Sequence, residues 1–241
     1  MSTFVLIHGA WHGGWCWERL IPLLEAAGHR AVAPDLPGHG ADPTPMHRVT
    51  LDAYAQRVAD VVRAQPEPVV LVGHSMGGIA ITQGAEAAPE AIRTLVYLSA
   101  WLLPDGIAIV DERDPRSPLP LTKVRIDGAD AVTLEADAAR ARLYSDCSDA
   151  DAAWAMKRLV PQAYAPLAAP LHLTPARYGR IPRVYIECTA DQTIPLAVQR
   201  RLYQRVCCRE VMTLETGHSP FLSAPADLAS CLLQVAGSTG A

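Results

Sequence analysis

A serine held between glycines is the first place in this chain where residue types and spacing point to chemistry. Gly73-His74-Ser75-Met76-Gly77 follows the apolar run Val69-Val70-Leu71-Val72 and leads into Gly78 and a helix-compatible stretch. A G-x-S-x-G pattern in that setting reads as strand, sharp turn and helix. Glycine is needed where the elbow leaves no room for a β-carbon, and the serine hydroxyl is lifted above the strand end. The following helix aims its first amides and positive dipole end at charge developing on a carbonyl oxygen. The bland alternative is a glycine-rich helix start capped by a serine.

A serine hydroxyl is a weak nucleophile without a base. Of the eight histidines, His218 lies in Glu215-Thr216-Gly217-His218-Ser219-Pro220, between a short apolar run and the last helical pattern. A loop there is where a scaffold-borne base belongs. His8, His12, His39 and His74 lie upstream of or beside Ser75 and suit other roles. His29, His47 and His172 have no supporting context. A third group must orient the imidazole and steady its protonated form. Asp191, in Thr189-Ala190-Asp191-Gln192, follows an apolar run, where sites of open α/β sheets collect. It also keeps the order serine, acid, histidine. Asp105 and Asp35 compete for this role. The amides expected to meet an oxyanion are those of Met76, after the serine, and Ala10, in the loop His8-Gly9-Ala10-Trp11-His12-Gly13-Gly14. Those glycines fit neither phosphate-binding pattern, G-x-x-x-x-G-K-[ST] or G-x-G-x-x-G. The chemistry implied is acyl transfer through an acyl-enzyme.

These residues need strands to end beside one another. Short apolar runs at residues 4–7, 30–33, 69–72, 94–98, 184–188 and 211–214 read as strands, the central ones buried on both faces. Helical spacing marks residues 17–27, with Leu20, Leu23 and Leu24 on one face, and residues 51–64, from Ser75 to about 88, and 228–235. Strands alternating with helices give an α/β fold with a mainly parallel sheet flanked by helices. The rhythm breaks between residues 100 and 180, where proline-rich sequence at 115–120 and helix-like pieces at 136–143 and 149–159 read as a helical cap. The expected organisation is one domain over residues 1–241, with a core of 1–99 and 183–241 and a cap of about 100–182. The tail from 237 reads as frayed.

With 241 residues, half of them hydrophobic, the chain can bury one sizeable core. The 21 basic and 25 acidic side chains give a net charge of −4, which argues against a nucleic-acid partner. The run at 4–7 is too short for a secretion signal and no basic residue precedes it. No stretch approaches a membrane span. The six cysteines show no C-x-x-C or paired spacing and read as free thiols in a reducing cytoplasm, with Cys207-Cys208 taken as a helix end packed on the core. No Cys/His pairs stand at zinc-ligand spacing, so no metal is expected. The sequence leaves monomer and homodimer open.

The motifs Phe4-Val5-Leu6-Ile7-His8-Gly9-Ala10-Trp11-His12-Gly13-Gly14-Trp15-Cys16-Trp17, Asp35-Leu36-Pro37-Gly38-His39-Gly40, Gly73-His74-Ser75-Met76-Gly77-Gly78, Arg183-Val184-Tyr185-Ile186-Glu187-Cys188-Thr189-Ala190-Asp191 and Gly217-His218-Ser219 resemble the plant methylesterase and hydroxynitrile lyase branch of the α/β-hydrolases. That branch includes the methyl salicylate esterase that binds salicylic acid, and similar bacterial esterases are known. The resemblance covers nearly the whole chain and is weakest from about 105 to 150. It implies a Ser-His-Asp esterase with a helical cap and no cofactor. The lyases carry threonine where Ala10 stands and lysine where Ser219 stands, so esterase is favoured over lyase. Plant esterases often have methionine at the Ser219 position, and Ser219-Pro220 departs from that. A lyase-type C–C cleavage, or a ligand receptor that keeps the triad, remains the alternative.

The pocket is expected from Trp11, His12, Trp101, Leu102, Trp154, Leu159, Tyr164, Leu171, Ser219 and Phe221. As a group they suit a small, largely apolar or aromatic ester. Lys123, Arg125 and Arg177 are the cations that could meet a carboxylate, each with solvated surface as its bland reading.

Overall fold

The computed structural model describes residues 1–112 and 120–238. Along the chain the strands are β1 (Thr3–Ile7), β2 (Arg30–Val32), β3 (Val69–His74), β4 (Ile92–Leu98), β5 (Leu121–Ile126), β6 (Ala129–Leu134), β7 (Gln162–Ala163), β8 (Arg183–Cys188) and β9 (Glu210–Leu214). The helices are α1 (Ile21–Ala26), α2 (Leu51–Arg63), α3 (Gly77–Ala87), α4 (Ala136–Leu143), α5 (Asp149–Met156), α6 (Ala165–Ala168), α7 (Leu196–Arg205), α8 (Pro220–Ser223) and α9 (Pro225–Ser238).

Six strands form one parallel sheet in the order β2-β1-β3-β4-β8-β9. Every residue of β1 and β3 is buried, as expected of parallel strands covered on both faces. The helix α2 starts where Thr50 Oγ1 accepts the Ala53 amide at 3.1 Å, satisfying one amide of the first turn. Its buried face (Tyr54, Val58, Val62) packs on α3, which is apolar nearly all round. An α/β architecture, a parallel sheet flanked by helices, follows from these elements.

The expected strands and the helices at 51–64, 75–88 and 228–235 are present with ends shifted by a few residues. The segment 17–27 differs. Its helix begins only at Ile21, with Pro22 in the first turn, where the missing N–H costs no intrahelical bond. A tight helical turn at Gly14–Trp17 precedes it, and Leu23 is 37% exposed while Leu20 and Leu24 are fully buried. The amphipathic α7 between β8 and β9 was not read from the sequence; it buries Val198, Gln199 and Leu202. Cys207-Cys208 lies past its end with Cys207 exposed, so that residue does not pack on the core. All six cysteines are free.

Between β4 and β8 the chain makes the helices α4 and α5 near the expected places. It also makes an antiparallel sheet, β5-β6-β7, which the helical reading of this stretch missed. Its hairpin turns at Asp127 and Gly128, both at positive φ (51° and 79°). Asp-Gly is the residue pair such a two-residue turn demands. The proline-rich loop expected at 115–120 lies outside the described residues up to 119, as do 239–241 of the expected tail; residues 237 and 238 belong to α9. Among the described residues no helix is long and apolar enough to cross a membrane.

Leu71, fully buried in the centre of β3, tests this core. Leu71→Ala should cost about 2–5 kcal/mol of unfolding free energy, read from urea denaturation. A change below about 0.5 kcal/mol would mean the central strand is not packed as described.

Candidate active site

The turn after β3 places Ser75 at φ 53°, a left-handed conformation that side chains other than glycine rarely adopt. The sharp turn is possible because the neighbouring backbone comes very close. A β-carbon on Gly77 would lie 2.6 Å from the His8 carbonyl oxygen and 2.8 Å from that of Ile7. One on Gly9 would lie 2.9 Å from Ser75 Cβ. The loop after β1 is thus laid directly against the elbow. The Ser75 carbonyl accepts the amides of Gly78 (3.0 Å) and Trp101 (3.1 Å), which fixes the turn from both sides.

Asp191 follows β8 and His218 follows β9, the neighbouring strand. His218 Nδ1 donates to Asp191 Oδ2 at 2.6 Å, with both side chains essentially buried. Ser99, at the end of β4, donates its hydroxyl to the same oxygen. The other carboxylate oxygen accepts the amides of Thr193 (2.6 Å) and Ile194 (3.0 Å). Four donors therefore meet one buried carboxylate, which is the condition for keeping a charge out of water. The arrangement leaves His218 Nε2 as the ring's acceptor. Ser75 and His218 are linked through His74, whose Nε2 donates to the His218 carbonyl at 2.8 Å. Among the described residues Ser75 Oγ and His218 Nε2 make no hydrogen bond; such nucleophile–base bonds commonly tighten only in the complex with substrate.

The competing acids are elsewhere. Asp105 accepts the Leu173 amide at 2.8 Å, and Asp35 accepts the amides of Gly14 (2.6 Å) and Ala41 (2.9 Å), tying two loops together. Ala10 and Met76 are buried, and among the described residues their amides donate to no protein acceptor. Of the expected pocket residues, Trp11 and Leu159 line one cavity of about 350 Å³, with Leu134, Ala139, Met156 and Pro161. Leu102, Leu171 and Phe221 are core; the Phe221 ring stands 5.0 Å from that of His74. Trp101 is half-buried. Trp154 packs edge-on to Trp15 and beneath Arg158, and Tyr164 lies under Lys123. Ser219 is fully buried, its hydroxyl unpartnered among the described residues. Arg125 pairs with Asp130 and Arg177 with Glu86, on the surface.

His12 has both ring nitrogens engaged, with the Ala10 carbonyl and the Tyr144 hydroxyl. It belongs to a set of four buried histidines with His8, His39 and His74. Burial pushes His12 and His39 down to about 4, and His8 and His74 well below the usual imidazole range; neighbouring imidazoles push the same way at His8, His12 and His74. They are neutral donors and acceptors: His39 Nδ1 donates to the His12 carbonyl at 2.9 Å, and its other nitrogen accepts the Tyr54 hydroxyl.

Sequence reasoning missed Ser99, Tyr144 and Asp146, whose carboxylate accepts the Gly217 amide at 2.6 Å. Ser99 had a signal, its place at the end of an apolar strand. Tyr144 and Asp146 had none, because their partners are far away in sequence.

Residues 4–230 match the model of the alpha/beta hydrolase family. The salicylic acid-binding protein 2 of Nicotiana tabacum is 32% identical over an alignment covering 97% of this chain and 96% of that protein. The alpha-hydroxynitrile lyase of Arabidopsis thaliana is 32% identical, covering 97% and 96%. Among solved structures, polyneuridine aldehyde esterase superposes with a TM-score of 0.89 at 28% identity, covering 98% of this chain and 99% of that one.

The neutral histidines make stability depend on pH. In the unfolded chain each binds a proton near 6.5, and in the fold His12 and His39 do so only near 4. Unfolding therefore takes up protons in this window, and stability is full above pH 6.5 and falls as pH drops from there towards 4. His12 and His39 each contribute roughly 3 kcal/mol to that loss. The melting temperature should fall steeply from pH 6.5 to 4.5; a flat profile by circular dichroism would show that these histidines are not held neutral.

Proposed function

Because the chain belongs to the alpha/beta hydrolase family, we propose that it is a serine carboxylesterase that cleaves small, largely apolar or aromatic esters, methyl esters among them. The observation that carries this reading is the buried Asp191–His218 pair, whose histidine carbonyl is held by His74, the residue before a serine on a left-handed elbow.

Ser75 Oγ attacks the ester carbonyl carbon as His218 Nε2 takes its proton. Asp191, held by Ser99, Thr193 and Ile194, keeps the Nδ1–H tautomer and steadies the imidazolium. The carbonyl oxygen becomes an oxyanion and is met by the Ala10 and Met76 amides. The tetrahedral intermediate collapses, His218 returns the proton to the departing alkoxide, and an alcohol leaves the acyl-enzyme. Water then attacks the acyl carbon while His218 accepts its proton. Collapse expels Ser75, reprotonated by His218, and releases the carboxylic acid.

The cavity that Trp11 lines supports the apolar part of the reading. At about 350 Å³, and lined mainly by Trp11, Leu134, Met156, Leu159 and Pro161, it falls in the range of small-molecule sites. It is assigned here to one arm of the ester. The free cysteines suit a reducing compartment, so a cytoplasmic setting is part of the proposal.

Purified protein should hydrolyse p-nitrophenyl acetate to octanoate and methyl salicylate. Ser75→Ala should lower ester turnover by roughly 10⁴–10⁶-fold. Turnover that survives this substitution would falsify the nucleophile assignment, and release of cyanide from mandelonitrile without ester cleavage would move the reading to a lyase. Filling the cavity with Met156→Trp should lower kcat/KM for octanoate at least about tenfold and leave acetate within about twofold. Equal effects on both esters would remove the cavity from the substrate site.

A further inference from the structure

The amide of Ala10 lies between two carbonyls that are each held by an imidazole. His8 Nδ1 donates to Gly9 O at 2.8 Å, and His12 Nδ1 donates to Ala10 O at 2.8 Å. Peptide groups are planar. Fixing Gly9 O therefore fixes the plane that contains the Ala10 N–H, and fixing Ala10 O sets the plane that follows. His8 therefore holds the plane of that N–H directly, and His12, by holding the next plane, limits rotation about the Ala10 backbone through which the first plane could swing.

Each histidine is braced in turn through its other nitrogen, and the two braces come from different parts of the chain. His8 Nε2 accepts the Leu36 amide at 3.0 Å, from the loop after β2. His12 Nε2 accepts the Tyr144 hydroxyl at 2.8 Å, from the end of α4 in the segment inserted between β4 and β8. Because His12 Nδ1 donates, Nε2 must accept, so Tyr144 is the donor. Tyr144 and His12 are both buried, and the His12 ring is stacked on Trp15 at 5.3 Å. The inserted segment reaches the same loop twice more: Trp11 Nε1 donates to Val132 O at 3.0 Å, and the Val160 amide donates to Trp11 O at 2.9 Å.

We infer that Tyr144, acting through His12, is a positioning residue for the Ala10 amide, so that the inserted segment must be seated for the oxyanion to be fully stabilised. The inference rests on the proposed esterase reading with Ala10 as an oxyanion donor. A hydroxyl serving only to fill the core could be removed without affecting the reacting carbonyl. One serving as a brace would leave His12 Nε2 unpaired and let Ala10 turn away. The transition state would then lose more than the bound substrate, because the oxyanion exists only there.

The test is Tyr144→Phe, which removes one oxygen and keeps the ring. Its kcat for p-nitrophenyl butyrate should fall about tenfold with KM within twofold. Affinity for an aryl trifluoromethyl ketone, whose Ser75 hemiketal places an oxyanion in the same position, should fall by the same factor. Affinity for the product butyrate should not change. His12→Ala should show the same split, and the double variant should lose no more than the worse single one, as residues in one relay do. Melting temperature and near-ultraviolet circular dichroism report whether each variant keeps the fold. Unchanged kcat and ketone affinity in a folded Tyr144→Phe protein overturn the relay while the esterase reading stands. Equal weakening of ketone and butyrate also overturns it, as general distortion. Wild-type turnover that survives Ser75→Ala removes the premise, and the relay falls with it.

Discussion

A carboxylate taken out of water must have its lone pairs filled, and Asp191, 4% exposed, is such a group. Its four donors come from Ser99, His218, Thr193 and Ile194. Ser99 ends β4, Asp191 and the two amides follow β8, and His218 follows β9, three adjacent strands of the parallel sheet. The sheet order thereby sets out the site. Ser75 follows β3, the next strand over, so Ser75, Ser99, Asp191 and His218 stand after four successive strands of the sheet. Register errors between these strands would leave a charge buried without partners, which ties the pairing of the sheet to the integrity of the site.

The second constraint is closeness of backbone. The loop after β1 lies against the serine elbow with no space for side chains at Gly9 or Gly77. Such a loop has few side-chain anchors of its own. The molecule supplies them as neutral imidazoles, whose paired donor and acceptor nitrogens bridge one backbone group to another. His8 and His12 hold the carbonyls on either side of Ala10, and His39 holds the carbonyl of His12. Their burial keeps them uncharged, which is the state in which each nitrogen has a defined role. The polar density of this region is a means of fixing backbone.

The segment between β4 and β8 adds walls and latches. Trp11 and Leu159 share a cavity with residues of β6, α4 and α5. Asp146 holds the amide before His218, and Thr193 donates to the Arg142 carbonyl at 2.7 Å. The same short stretch around the end of α4 therefore touches the loops that carry Asp191, His218 and Ala10 alike. The proposed esterase chemistry and the proposed relay both use this convergence.

The glycine-flanked serine after an apolar strand, the loop histidine and the strand-end aspartate were legible in the sequence because each depends on local rules. A tight elbow demands glycine, a covered parallel strand demands a continuous apolar run, and alternation of strands and helices demands a parallel sheet. The Asp127-Gly128 hairpin obeyed an equally local rule and was missed because the segment around it was read by helical spacing alone. What no local rule could supply were the contacts made across the chain. Ser99 meets Asp191 and Tyr144 meets His12 only because sheet order and the docking of the inserted segment bring them together. His12 was expected in the pocket but is buried with both ring nitrogens on protein groups, since burial and partners, which its motif does not show, settle the role of an imidazole. The sequence by itself determined which groups could react and on which kind of element they stand. The tertiary structure alone decided their partners, because hydrogen bonds over long chain separations depend on packing, and packing leaves no periodic trace in the residues that make them.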